Sequence, residues 1–134
     1  MSTITKIEGI GEAYAVKLRA AGVHTTDALL EKGRKPQGRK ELAKVTGFKE
    51  ATILEWVNRA DMFRVRGIGA QYSDLLEAAG VDTVRELAKR KAEALLETLA
   101  QVNVKKNKVN QLPGLNQVKS WIEIAKTLPK GVDY

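Results

Sequence analysis

The sequence predicts an all-α fold in which two copies of one helical unit pack into a single compact domain. Three observations lead there. A run of residues recurs at a constant spacing of 58: Ile7-Glu8-Gly9-Ile10-Gly11 leads into Leu18 and Ala20-Ala21-Gly22-Val23, and Val65-Arg66-Gly67-Ile68-Gly69 leads into Leu76 and Ala78-Ala79-Gly80-Val81. A period of tens of residues marks a repeated supersecondary unit. Apolar residues after each glycine run recur at three- and four-residue spacing, the period of a helix face. No segment alternates with period two, so essentially no sheet is expected.

The elements follow in order. In each Gly-Ile-Gly turn, glycine permits positive φ and close backbone approach, and the Ile between points to the core. The next helix sets Tyr14, Leu18 and Ala21 on one face, and its copy sets Tyr72, Leu75, Leu76 and Ala79 likewise. Gly22 and Gly80 stop these helices. Thr25 and Thr83 read as N-caps, and Thr83 to Glu86 as a capping box. Leu29 and Leu30 belong to a short helix, Gly33 to Gly38 with Pro36 reads as a loop, and Leu42 and Val45 lie on a further helix ending at Thr46-Gly47-Phe48. Ile53, Trp56, Val57 and Ala60 form the next apolar stripe. In the second copy the stripes are Leu87, Leu95, Leu96, Leu99 and Val102, then Val118, Trp121, Ile122 and Ala125, with a longer connection between them. The four aromatic residues Tyr14, Tyr72, Trp56 and Trp121 are expected in the core. The implied boundaries are residues 1–62, 63–128 and a C-terminal tail, 129–134.

Composition narrows the function. The 134 residues suffice for a core without staples, and the absence of cysteine excludes disulfides and thiolate metal sites. The start resembles no signal peptide, and no apolar run approaches the roughly eighteen residues of a membrane span, so a cytoplasmic protein is expected. The net charge of +7 draws the chain toward polyanions. The basic residues cluster: Lys32, Arg34, Lys35, Arg39 and Lys40; Lys89, Arg90 and Lys91; and Lys105, Lys106, Lys108 and Lys119.

The apolar-x-Gly-apolar-Gly turn with a Gly-Val about a dozen residues later resembles the helix-hairpin-helix motif, on Ile7, Gly9, Ile10, Gly11, Leu18 and Gly22 and again on Val65, Gly67, Ile68, Gly69, Leu76 and Gly80. Nearly the whole chain is similar to an uncharacterised bacterial family of tandem helix-hairpin-helix proteins, with Pro113-Gly114 and Trp121-Ile122 as closing features. The resemblance implies a SAM-like helical architecture and backbone amides that donate to a DNA phosphate without reading bases. The implied donors are the main-chain nitrogens of Gly9, Gly11 and Glu12, and of Gly67, Gly69 and Ala70, around Ile10 and Ile68. Two such hairpins on one core could grip both strands of a minor groove. Binding copies often carry a basic residue just past the second glycine, where this chain has Glu12-Ala13 and Ala70-Gln71. Glu8 stands beside the first turn and Arg66 beside the second, which makes the second the stronger candidate. Arg66, Lys35, Arg39, Lys105, Lys106 and Lys108 are the flanking residues expected to hold phosphates. The expected partner is double-stranded DNA, bound without sequence preference by a monomer or weak homo-oligomer. The alternative is a protein-interaction or scaffold module without DNA binding.

No enzyme is expected. His24 is the sole histidine and its repeat counterpart is Asp82, which suits a tolerant polar turn better than a base. A triad would need Ser2, Ser73 or Ser120 beside it. The carboxylates are scattered, so no metal or cofactor is expected.

Overall fold

The computed structural model describes residues 3–134; Met1 and Ser2, and with them part of the N-terminal segment and one of the three serines considered above, lie outside the described residues. The chain is all-α. After a 3-10 turn at Ile4–Lys6 come α1 (Glu12–Ala20), α2 (Thr26–Gly33), α3 (Pro36–Thr46), α4 (Glu50–Met62), α5 (Ala70–Ala78), α6 (Val84–Ala88), α7 (Ala92–Lys106) and α8 (Leu115–Thr127). An isolated antiparallel bridge joins Thr3 to Thr25. Among the described residues no helix is long and apolar enough to cross a membrane.

The chain divides into two compact units, Met1–Asp61 with Gly131–Tyr134, and Met62–Lys130. In the first, Ile4, Ile7, Ile10, Ala15, Leu18, Val23, Leu29, Leu42, Ile53, Trp56 and Val57 are buried. Helix α1 ends in a Schellman motif: Gly22 (φ +86) donates to the Arg19 carbonyl and Val23 to the Leu18 carbonyl. Lys32 closes the same end by donating to the Ala21 carbonyl at 3.2 Å. A cation there also meets the negative end of the helix dipole. Thr25 caps α2 through the Ala28 amide at 3.1 Å.

The stretch from Gly33 to Gly38 is not a loop. Helix α2 runs to Gly33 and α3 begins at Pro36, a favoured first helical residue. Each glycine allows a close approach of helices: a Cβ on Gly38 of α3 would run into the Lys32 carbonyl of α2, and one on Gly33 of α2 into Val57 of α4. The glycines therefore serve close approach, not chain reversal. Arg39 is buried against this corner, donating to the carbonyls of Gly33 (2.8 Å), Arg34 (3.0 Å) and Asp133 (2.8 Å). The terminal segment completes the first unit. Val132 is buried, the Asp133 amide donates to the Arg34 carbonyl, and the Tyr134 hydroxyl bonds Asn58 Oδ1 at 2.8 Å.

The second unit repeats the same local devices. Gly80 (φ +90) and Val81 donate to Glu77 and Leu76, and Thr83 caps α6 through the Glu86 amide at 3.0 Å. The reciprocal half of the expected capping box is not made, because the Glu86 carboxylate takes Arg90 Nε at 3.1 Å. Arg90, 58 positions after Lys32, also reaches the Gly80 carbonyl at 3.5 Å. The core packs Met62, Val65, Ile68, Leu75, Leu76, Leu87, Leu95, Leu99, Val118 and Trp121. Helix α7 ends at Asn107 in the left-handed region (φ +49), and Asn103 clamps the connection that follows by bonding both the amide and the carbonyl of Val109 at 3.0 Å.

Candidate functional site

Each glycine turn is built alike. Gly9 (φ +94) and Gly67 (φ +93) take the left-handed conformation that an L side chain rarely adopts. The turns are pinned by Ile10 donating to the Ile7 carbonyl and Ile68 to the Val65 carbonyl, both at 3.1 Å, with all four side chains buried. Beneath each turn lies a tryptophan. A Cβ on Gly9 would sit 3.5 Å from Trp56 Nε1, and one on Gly67 3.0 Å from Trp121 Nε1.

The turns deliver the chain into α1 and α5 with Gly11 and Gly69 as N-caps, neither of which has a side chain to offer. The first intrahelical bonds run from Ala15 to Gly11 and from Ser73 to Gly69, both at 2.9 Å. The amides of Gly9, Gly11 and Glu12, and those of Gly67, Gly69 and Ala70, therefore find no acceptor among the described residues. Gly9, Gly11, Gly67 and Gly69 are exposed. Unbonded peptide hydrogens at the positive end of a helix dipole form a site for an anionic oxygen. Ile10 and Ile68 contribute the frame and not a contact.

The charges around the two turns differ. At the first, Glu8 is exposed, and Glu12 holds Arg19 at 2.6 Å. At the second, Arg66 is exposed. The second unit carries twelve Lys and Arg against seven Asp and Glu, net +5, while the first has eleven against nine, net +2. In the second unit Arg66, Arg85, Lys89, Lys91, Lys105 and Lys106 are exposed, and their charged groups make no hydrogen bond or ion pair among the described residues.

Several basic residues expected at a phosphate are committed elsewhere. Arg39 is spent on three carbonyls inside the first unit and cannot reach a partner. Lys32 and Arg90 close helix ends. Lys108 pairs with Asp74 at 3.1 Å, and Lys119 lies 3.9 Å from Glu93. Lys35 stays exposed at the N-cap of α3. The Lys108–Asp74 pair and the bond from the Tyr72 hydroxyl to the Gln111 carbonyl (3.4 Å) lay the α7–α8 connection along the first turns of α5.

The sequence reading also missed a residue. Tyr14, expected in the core, is 48% exposed, because α1 turns Ala15 and Leu18 inward. Val45 is likewise on the outer face of α3. His24 is exposed, and among the described residues no group of His, Asp and Glu is placed to hold a metal ion.

No curated protein and no solved structure matches this chain. A family model described as a domain of unknown function, DUF4332, matches residues 8–128, a span that includes both glycine turns and the helices they start. With a match over most of its length, the chain belongs to the DUF4332 family.

Proposed function

We propose that the chain is a tandem helix-hairpin-helix protein that binds DNA through phosphates and without sequence preference, its second hairpin making the principal contact. One observation carries this reading: the amides of Gly67, Gly69 and Ala70 have no internal acceptor and stand beside exposed Arg66 in the unit holding most of the net charge. Amides of this kind hold a phosphate oxygen and read no base, so affinity should depend on salt and not on sequence. Lys105 and Lys106, at the end of α7, and Lys89 and Lys91, flanking Arg90, supply the longer-range attraction. The first hairpin has the same amides but a carboxylate beside them, and contributes less.

The test is a titration of two unrelated short duplexes at about 50 mM salt, where phosphate-mediated binding is strong. Comparable affinity for both supports the reading, and no binding to either rejects it. A protein-interaction module is the second reading. It is favoured by Val45, 69% exposed at the edge of a shallow cavity of about 310 Å³ that Ala21, Lys32, Gly38, Glu41 and Leu42 complete.

A further inference from the structure

Tyr14 and Tyr72 hold the same place in the repeat but not the same surroundings. Each stands in the first turn of the helix after its glycine turn, and each packs on a tryptophan, with ring centroids 5.9 Å apart for Tyr14–Trp56 and 5.1 Å for Tyr72–Trp121. In the second unit the connection from Asn107 to Gly114 reaches the tyrosine, which is half-buried: its hydroxyl donates to the Gln111 carbonyl, and Pro113 is buried. In the first unit only Gly47, Phe48 and Lys49 join α3 to α4, too few to fold over the ring. Phe48 instead meets Tyr14 at 5.1 Å in an edge-to-face arrangement and Trp56 at 5.2 Å. The result is an aromatic cluster whose outer member, Tyr14, is 48% exposed.

Positive groups stand beside this cluster, although exposed Glu8 precedes the same glycine turn. Lys17 Nζ lies 5.5 Å from the centre of the Phe48 ring. The unbonded amides of Gly11 and Glu12 open the same helical turn. The Glu12 carboxylate is held by Arg19 and so is partly neutralised. A purely apolar partner would leave the amides and the ammonium unused, and a simple anion would leave the ring unused. A planar ring carrying a phosphate uses both.

We propose that Tyr14, backed by Phe48, is a stacking platform for an unpaired nucleobase, with Lys17 and the amides of Gly11 and Glu12 holding its phosphate. The proposal rests on the nucleic-acid reading above and assigns the first unit a role for which the second is less suited, since Tyr72 is half-buried and its hydroxyl is bonded to the connection beside it. The protein then prefers duplex DNA with a single-stranded tail over the blunt duplex.

The experiment compares the parent protein, Tyr14→Ala and Tyr14→Phe on a blunt duplex and on the same duplex with a tail containing 2-aminopurine. Tyr14→Ala should weaken binding of the tailed DNA by about tenfold, the usual scale for losing one base–aromatic stack, and abolish the quenching of 2-aminopurine. It should leave the blunt duplex unaffected, while Tyr14→Phe keeps both signals. Parent-like binding of the tailed DNA by Tyr14→Ala, or an equal loss on both substrates, overturns the platform. A parent protein that binds neither substrate rejects the nucleic-acid reading itself, a failure seen before any variant is made.

Discussion

Ala70→Pro removes one peptide hydrogen from the second glycine turn and little else. Ala70 is the first residue of α5, and its amide has no acceptor among the described residues. Proline is favoured at that position because its fixed φ suits the first turn and no intrahelical bond is lost. The preceding Gly69 is extended (φ −104, ψ −163), the region that a residue before proline prefers. Folding stability should therefore stay within about 1 kcal/mol of the parent, on either side. Binding should not. A hydrogen bond from a neutral donor to a charged acceptor contributes about 2 kcal/mol, so its removal should raise Kd for a short duplex close to thirtyfold. Fluorescence anisotropy at low salt, with urea denaturation of the same samples, separates the two effects. A folded Ala70→Pro protein that binds duplex at parent affinity would show that this amide holds no phosphate, and the hairpin argument would fall with it.

Other outcomes follow from the same geometry. Gly69→Ala should fold normally, since nothing lies within 4 Å of its Cβ, whereas Gly67→Ala should lose about 2 kcal/mol from a positive φ and the approach to Trp121; thermal melting of the pair checks this. If about five of Arg66, Arg85, Lys89, Lys91, Lys105 and Lys106 neutralise phosphates, log Kobs should fall against log salt with a slope near −4 to −5, and a flat response would exclude phosphate contacts. Arg39→Ala should destabilise the protein by about 3 kcal/mol by leaving the Gly33 and Asp133 carbonyls without their side-chain donor, measured by urea denaturation, with no effect on the salt slope. Thr83→Ala should cost about 1 kcal/mol through the lost cap of α6.

The helices and their stops were legible because they depend on neighbours in sequence. Gly22 and Gly80 before a valine, and Thr25 and Thr83 before an apolar run, specify their local geometry wherever they occur. The corner between α2 and α3 was not legible, because Gly33 and Gly38 look like turn residues until the helices they bring together are seen. The fate of the basic residues was also hidden: a sequence shows where Arg39 lies in the chain but not that Gly33, Arg34 and Asp133 surround its guanidinium. Two further signals lie in the sequence. Lys32 and Arg90 share the repeat spacing, which hints at a common helix-closing task. The unequal α3–α4 and α7–α8 connections foretell that Tyr14 and Tyr72 cannot be equally covered. The amides of the glycine turns were anticipated from the motif, and their lack of internal acceptors became visible only with coordinates.

Asp133 and Tyr134 bond residues 76 or more positions earlier in the chain, which has a consequence for the order of assembly. During synthesis from the N-terminus, the whole of Met62–Lys130 emerges before the segment that plugs the first unit. Until then the Arg39 guanidinium lacks its third carbonyl and Asn58 its tyrosine. The later half of the nascent chain is thus equipped to reach its native packing ahead of the earlier half, and a premature stop after Lys130 would harm the part made first.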